Sequence, residues 1–249
     1  MRQFVHSAFG RLADLLWPRT CAVETCSHVS DRPRRYLCSH CFATLPFHES
    51  GGACRLCGGL VAAETEHDFV CEDCQKNPPP YEFARSGVRF IDPIRQPILD
   101  FKFRHATWLQ EDLTDLLEAA TRAKLDASAV DVIVPVPLAP ERFRERGYNQ
   151  SELLTQSLGR RLSRRVDARA LIRTRNTEHQ ARLDRADRLT NLKGAFAVTD
   201  ARGIRGRTVL LVDDVMTTGS TLAHATHALL DGGAARVWCA TVARSTRQG

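Results

Sequence analysis

The chain has 249 residues, of which 43% are hydrophobic and 26% are charged, and its formal net charge is +6. This composition indicates an ordinary soluble globular protein with one large or two modest domains. No apolar run approaches the roughly 18 residues that a transmembrane helix needs, so we expect no membrane insertion.

The first 20 residues have the spacing of an amphipathic helix. They lack the continuous apolar core and the small-residue cleavage site of a signal peptide. We therefore predict a helix over residues 1–20 and a cytoplasmic location. The apolar side chains on its inner face are Phe4, Val5, Ala8, Leu12, Leu15 and Leu16.

Closely spaced cysteine pairs dominate the next segment, residues 21–76. The first pair has the spacing C-x4-C, and three further pairs have the spacing C-x2-C. Disulfides are rare in the cytoplasm, whereas four thiolate pairs supply ligands for two tetrahedral zinc ions. We predict a double zinc ribbon, with Cys21, Cys26, Cys38 and Cys41 on one ion and Cys54, Cys57, Cys71 and Cys74 on the other.

Both zinc ions are predicted to be structural. A complete set of four cysteines leaves no coordination position open for a water molecule or a substrate. The segment contains few large apolar residues, so metal binding would supply the free energy that keeps it folded. An interleaved pairing of the cysteines remains open at this point, and surface positions are favoured for His28, His40 and His48.

A proline-rich stretch at residues 77–80 marks the boundary to a second domain, residues 81–249. In that domain we predict an edge strand, a helix, a central strand and a last strand that closes the sheet, over residues 83–91, 108–124, 130–138 and 236–243. Cys239 has no cysteine or histidine at ligand spacing, which favours a small buried thiol.

The most informative stretch is residues 208–221, TVLLVDDVMTTGST. Its apolar run predicts a strand buried on both faces, and the Ala-rich segment after it predicts a helix. A tight loop between them directs backbone N–H groups and the positive end of the helix dipole toward an anion. The carboxylates of Asp213 and Asp214 suit sugar hydroxyls, directly or through a hydrated Mg²⁺. The stretch therefore predicts a site for a phosphorylated sugar.

This stretch resembles the signature of the type I phosphoribosyltransferases, four apolar residues followed by two acids and a Thr-Thr-Gly-Ser/Ala-Thr loop. The resemblance implies an α/β fold, a mostly parallel sheet with flanking helices, preceded here by the Cys-rich module. It also implies binding of phosphoribosyl pyrophosphate (PRPP) with Mg²⁺, the ribose hydroxyls on the two acids and the 5′-phosphate on the loop. The residues implied to bind PRPP are Pro135, Val136, Pro137, Asp213, Asp214, Val215, Met216, Thr217, Thr218, Gly219, Ser220 and Thr221.

A second motif narrows the resemblance. P-V-P-L at residues 135–138 is followed by R-x-R-G-Y-N-Q at residues 144–150. Together with the Cys-rich module, these runs resemble the ComF family, competence-associated phosphoribosyltransferase-like proteins of naturally transformable bacteria. Forked guanidinium donors could clamp pyrophosphate. The catalytic candidates are Arg144, Arg146 and Arg188.

The polar segment 174–191 is poorly patterned and is predicted to be a mobile flap that closes over the reaction centre. The resemblance implies that Gln180, Arg188 and Asn191 occupy the family's recurrent flap positions. His179 is more simply explained as an incidental residue of a charged flap.

Positive charge is concentrated in the middle of the chain. Residues 141–193 contain 14 Lys and Arg against 7 Asp and Glu. Such an excess favours polyanionic ligands such as pyrophosphate, nucleotides or nucleic acid. For four arginines at predicted helix positions, a nucleic-acid footprint and a solvated helix face are equally good explanations: Arg160, Arg161, Arg164 and Arg165.

Three functions follow from these motifs. The leading one is a ComF-like protein that binds PRPP or a nucleotide and acts in DNA uptake, with single-stranded DNA and competence proteins as partners. The second is a metabolic enzyme that transfers phosphoribosyl to a nucleobase or another small nucleophile. The third is a non-catalytic scaffold that senses PRPP. The residues themselves identify no acceptor pocket and no catalytic activity.

Overall fold

The computed structural model describes residues 18–47, 52–60, 69–122, 126–174 and 194–245. Residues 1–17 of the predicted N-terminal helix lie outside the described residues. The same holds for His48 and for the flap residues His179, Gln180, Arg188 and Asn191.

A parallel sheet forms the centre of the described chain, with five strands in the order β1-β7-β6-β2-β3. A separate hairpin pairs β4 with β5 in antiparallel fashion. The predicted mostly parallel α/β fold is therefore confirmed. The strands are β1 (Phe83–Arg89), β2 (Val132–Pro135), β3 (Arg165–Val166), β4 (Leu171–Arg173), β5 (Phe196–Val198), β6 (Thr208–Met216) and β7 (Arg236–Arg244).

Helices cover both faces of this sheet. They are α1 (Ser39–Ala43), α2 (Glu72–Lys76), α3 (Arg95–Phe103), α4 (Gln110–Arg122), α5 (Pro140–Arg146), α6 (Gln150–Leu162) and α7 (Ser220–Asp231). Single turns of 3-10 helix occur at Thr107–Leu109, Ala127–Ala129 and Ala201–Gly203. No helix in the described part of the chain is long and apolar enough to cross a membrane.

Strand β6 contributes side chains to two separate cores. Leu210 and Val212 pack on the face covered by α3, α4 and α6. Val209 and Leu211 pack on the opposite face, with α7 and the β4–β5 hairpin. Side chains alternate along a strand, so a strand covered on both faces needs the continuous apolar run that the sequence contains.

The last strand does not close the sheet, contrary to the sequence prediction. Strand β7 lies between β6 and β1, and β1 is the edge strand. Seven consecutive residues of β7 are buried, which is the burial of an interior strand. The central strand β2 is also shorter than predicted and ends at Pro135. Pro137 follows closely and has no N–H group with which to extend the ladder.

The first cysteine-rich segment, residues 21–41, packs directly on α4. Leu37 is fully buried in the same core as the side chains of that helix. Asp112 of α4 is also fully buried, and its carboxylate accepts the N–H groups of Tyr36 at 2.8 Å and Leu37 at 3.1 Å. Burial raises the pKa of Asp112 even though these donors and Arg32 favour its charged form.

Three arginines and three further acids extend this contact. Asp115 of α4 accepts bonds from Arg32 at 2.5 Å and Arg35 at 2.7 Å. Arg161 of α6 reaches Asp115 at 2.7 Å, Glu118 at 2.9 Å and Glu111 at 2.6 Å. These three acids therefore compete with any nucleic acid for Arg161. Its neighbour Arg160 is 67% exposed.

We expect Arg161→Ala to lower the free energy of unfolding by about 2–3 kcal/mol, because three partly buried carboxylates lose a shared cation. The matched change Arg160→Ala removes an exposed side chain and should stay within about 0.5 kcal/mol. Denaturant unfolding of the three zinc-loaded proteins measures both effects. Equal stabilities would contradict a structural role for Arg161.

Candidate functional site

The carboxylates of Asp213 and Asp214 lie at the carboxyl end of β6. Asp213 Oδ1 accepts the hydroxyl of Ser151 at 2.8 Å and the N–H of Asp214 at 2.9 Å. Asp214 is 3% exposed, and its Oδ1 lies 2.9 Å from Nζ of Lys102. The second oxygen, Oδ2, is buried and has no hydrogen-bond partner among the described residues.

The electrostatics of this pair favour a ligand that brings donors or positive charge. Burial raises the pKa of Asp213, and the neighbouring Asp214 carboxylate raises it further, while Lys102 and Ser151 oppose the shift. A buried carboxylate oxygen without a partner is costly unless a donor or a cation reaches it. Sugar hydroxyls or the waters of a hydrated Mg²⁺ fit this pair, because both offer donors to carboxylate oxygens.

The loop after β6 leaves its backbone amides open. Within the described chain, the N–H groups of Thr217, Thr218, Gly219 and Thr221 donate to no protein group. Two polar contacts lie within the loop itself. The N–H of Ser220 donates to Oγ1 of Thr218 at 3.4 Å, and the hydroxyl oxygens of Thr218 and Ser220 lie 2.9 Å apart. The loop thus presents free donors at the start of α7, where the helix dipole adds positive potential.

Gly219 is required for this loop conformation. Its φ of 82° lies in the left-handed region, and a Cβ at this position would come 2.7 Å from Cε of Met216. Met216 itself is 3% exposed, and its side chain packs beneath the loop. Val215 is half-buried, and its N–H donates to the Asp214 carboxylate.

The loop after β2 is held between β6 and α6. The N–H of Val136 donates to the carbonyl of Val212 at 2.8 Å, and its own carbonyl accepts Nδ2 of Asn149 at 3.1 Å. Asn149 also caps α6 by accepting the N–H of Ser151 at 3.1 Å. The residue between Pro135 and Pro137 is therefore fixed beside the acid pair.

The R-x-R-G-Y-N-Q run mainly connects neighbouring elements of the fold, and its two arginines lie in different surroundings. Gly147 ends α5 with a φ of 73°, and the hydroxyl of Tyr148 donates to the carbonyl of Phe101. Arg146 donates to Gln150 at 2.8 Å. Arg144 is 74% exposed and pairs only with Glu141, at 3.5 Å, among the described residues.

Arg146 lies close enough to the acid pair to be influenced by it. Burial lowers the pKa of Arg146, and the charge of Asp214 counteracts that shift. Its guanidinium lies 4.6 Å from the ring centre of Phe103, where a planar cation stacks favourably. Of the three catalytic candidates, Arg146 is thus beside the acids and Arg144 faces solvent, while Arg188 lies outside the described residues.

Three contributors to the site were not identified from the sequence. Lys102 and Ser151 contact the two acids directly. Arg173, at the end of β4, has its pKa lowered by burial, and the Asp213 charge counteracts this. In the sequence, Lys102 stands out only as a lysine between two phenylalanines of α3. No motif or spacing distinguishes Ser151 or Arg173 from other serines and arginines.

The cysteines form two separate clusters in the order of the sequence. The thiols of Cys21, Cys26, Cys38 and Cys41 lie within 4.8 Å of one another, and so do those of Cys54, Cys57, Cys71 and Cys74. Four thiolates at this spacing match a closed tetrahedral zinc site and leave no catalytic position open. The clusters support two structural zinc ions, with the chain's own thiols supplying the ligands.

Comparison with known proteins gives matches over most of the chain. Residues 12–75 match the model of a double zinc ribbon domain, and residues 156–248 match that of a phosphoribosyl transferase domain. The DNA utilization protein YhgH of Escherichia coli (strain K12) is 36% identical over 189 residues, covering 74% of this chain and 82% of that protein.

Two further relatives come from other bacteria. Competence protein F of Haemophilus influenzae (strain ATCC 51907 / DSM 11121 / KW20 / Rd) is 35% identical over 190 residues, 75% of this chain and 80% of that protein. Competence protein ComFC of Bacillus subtilis (strain 168) is 32% identical over 222 residues, 86% of each chain.

Purified reduced protein should contain about two zinc ions per chain, one for each thiol cluster. We expect Cys38→Ser and Cys71→Ser each to lose one ion, because a tetrahedral site with three thiolates binds zinc far more weakly. Elemental analysis measures the content, with Cys239→Ala as the control, since Cys239 is a buried thiol outside both clusters. Metal-free wild-type protein would contradict the assignment.

Proposed function

Because this chain belongs to the ComF family of phosphoribosyltransferase-like proteins, we propose that it binds PRPP with Mg²⁺ and acts on single-stranded DNA during DNA uptake. The relatives named for DNA utilization and competence motivate the second half of this proposal. The first half is argued from the contacts around β6 and the start of α7.

The PRPP proposal depends on one observation. The carboxylates at the end of β6 lie next to a loop whose backbone N–H groups are not bonded within the described chain. The amides of Thr217, Thr218 and Gly219 would take the 5′-phosphate, together with the hydroxyls of Ser220 and Thr221. Asp213 and Asp214 would take the ribose hydroxyls. Mg²⁺, when bound, would neutralise charge on the pyrophosphate oxygens.

The pyrophosphate of PRPP would lie on the side of the acids that carries positive charge. Lys102 and Arg146 supply donors there. Arg173 is close enough to Asp213 for the carboxylate charge to favour the protonated guanidinium. The Val136–Pro137 loop adjoins this side through its contact with β6, although the N–H of Val136 already donates to Val212 and Pro137 has no N–H group. If transfer occurs, the bond from C1′ to the pyrophosphate oxygen breaks as the nucleophile bonds C1′, and these cations stabilise the leaving charge.

Asp213→Asn should weaken PRPP binding about 10- to 100-fold, since hydrogen bonds to a charged carboxylate are lost. The raised pKa of Asp213 also predicts that affinity falls on acidification nearer to neutral pH than for an ordinary aspartate, because protonation removes the acceptor. Titration calorimetry with PRPP and Mg²⁺ across pH measures both effects.

The matched control is Asp231→Asn, an exposed acid at the end of α7, which should bind like the wild type. The phosphate groups of PRPP also titrate near neutral pH and change its affinity. The part of the pH dependence that belongs to Asp213 is therefore the difference between the affinity curves of the wild type and of Asp213→Asn. Undiminished affinity of the asparagine variant would show that the loop and acids are structural only.

A surface beside the acid pair fits single-stranded DNA. Phe103 at the end of α3 is 54% exposed and Phe143 on α5 is 47% exposed. Arg146, three positions after Phe143 on the same helix, stacks on Phe103. Exposed Arg104 and Arg144 flank them. Exposed rings bind unpaired bases by stacking, and neighbouring arginines contact the phosphates.

We expect Phe103→Ala and Phe143→Ala each to weaken binding of an oligothymidine about 5- to 100-fold, from the loss of one stacking platform. Fluorescence anisotropy at two salt concentrations measures the affinity and its salt dependence. Ile172→Ala is the control, because Ile172 is a similarly exposed apolar residue on β4. If all three variants bind alike, DNA contacts another surface.

The remaining assignments belong to the same proposal. Residues 21–76 would act as the zinc-binding module and residues 81–249 as the PRPP-binding domain, in a reducing cytoplasm that keeps thiols available for metal. Competence proteins would be its partners. Release of pyrophosphate with one nucleobase would instead identify a metabolic enzyme, and PRPP binding without DNA binding or turnover would identify a sensing scaffold.

A further inference from the structure

The side chain of Lys102 is held beside the acid pair by the packing of α3. Ile98 and Phe101 of this helix are fully buried in the core, and the hydroxyl of Tyr148 donates to the carbonyl of Phe101. The side chain of Lys102 is 18% exposed, and its Nζ lies 2.9 Å from Oδ1 of Asp214. The helix, and not the ion pair alone, therefore sets the position of this ammonium group.

The acid pair offers the oxygen donors of a divalent-cation site. Carboxylate oxygens are ligands that Mg²⁺ and Mn²⁺ prefer. Asp214 Oδ2 is buried without a hydrogen-bond partner among the described residues, and Oδ1 accepts the N–H of Val215 as well as Lys102. Asp213 is half-buried beside it, and its Oδ1 accepts the hydroxyl of Ser151. Two adjacent carboxylates in such surroundings need a positive charge.

Lys102 supplies this positive charge from within the chain. Its ammonium group offsets one of the two negative charges and repels a divalent ion that approaches the same oxygens. Burial and the charge of Asp214 raise the pKa of Asp213, and the charge of Lys102 opposes both. An ammonium group has three N–H donors, so those that Asp214 does not use are available to a ligand.

We propose that Lys102 is a positioning residue that keeps the acid pair free of divalent metal until a ligand arrives. Its ammonium group takes the place of a metal ion at Asp214, and the unliganded site therefore keeps both carboxylates in place without one. Mg²⁺ enters with the pyrophosphate of PRPP and is not bound in advance. The inference rests on the proposed sugar-phosphate site and adds the order in which metal and sugar phosphate enter it.

Mn²⁺ binding to the full zinc-loaded chain without PRPP tests this assignment by calorimetry. Lys102→Met keeps an unbranched side chain and removes its charge, so it should bind Mn²⁺ about tenfold or more tightly than the wild type. Lys102→Gln also removes the charge and should show the same gain, which keeps the test valid where the methionine variant does not fold. Lys102→Arg retains a cation and should bind Mn²⁺ like the wild type. The zinc ions stay in place because thiolates favour zinc over Mn²⁺.

The double variant Lys102→Met with Asp214→Asn locates the gained site. It should lose the added Mn²⁺ affinity, because only one carboxylate of the pair remains. Arg202→Met is the matched control, since Arg202 is 92% exposed and pairs with Asp200 at 3.0 Å. This change also removes a cation from an aspartate but leaves a single exposed carboxylate, so its Mn²⁺ binding should equal that of the wild type.

Wild-type protein that binds PRPP, together with Lys102 variants that gain no Mn²⁺ affinity, overturns this inference and leaves the proposed function intact. Equal gains in Lys102→Met and Arg202→Met, or a gain that Asp214→Asn does not remove, overturn it as well. Wild-type protein that binds no PRPP overturns the proposed function, and this inference with it.

Discussion

Two adjacent carboxylates at the end of a buried strand set the main constraint on this molecule. Asp213 and Asp214 repel each other in surroundings that disfavour charge, and burial raises the pKa of Asp213. The fold compensates with Lys102 from α3 and Ser151 from α6, each within 2.9 Å of a carboxylate oxygen. One oxygen of Asp214 still lacks a described partner. The site thus keeps acceptor capacity that hydroxyls or a hydrated cation can use.

Helix α6, which supplies Ser151, is linked through α4 to the first cysteine-rich segment. Helix α4 holds the first thiol cluster through buried Asp112 and through Asp115, and α6 joins the same network through Arg161. Since α6 also carries Ser151, metal binding in the first cluster and the position of Asp213 share one packed unit. This connection gives a physical reason for a double zinc ribbon to accompany a phosphoribosyl transferase domain.

The second thiol cluster has a different relation to the site. It contacts the loop side of the sheet through Arg244, which touches both Cys57 and Met216. A cavity on this side of the loop is lined in part by Cys57, Cys74 and Arg244, whereas Lys102 and Arg146 lie beside the acid pair.

Local chemistry in the sequence determined the cysteine pairs and the β6–loop–α7 unit, because each depends on residues only a few positions apart. The α/β class followed from the resemblance carried by that unit, and only the tertiary structure decided that the cysteine pairs combine in sequence order. Tertiary structure alone decided which arginine serves which purpose: Arg161 is enclosed by acids while Arg160 is exposed, and Arg146 approaches Asp214 while Arg144 faces solvent. It also placed β7 inside the sheet and brought Lys102 from more than a hundred residues away to Asp214. Periodicity reports which face of an element is apolar, whereas the partner of a charge depends on how distant elements pack.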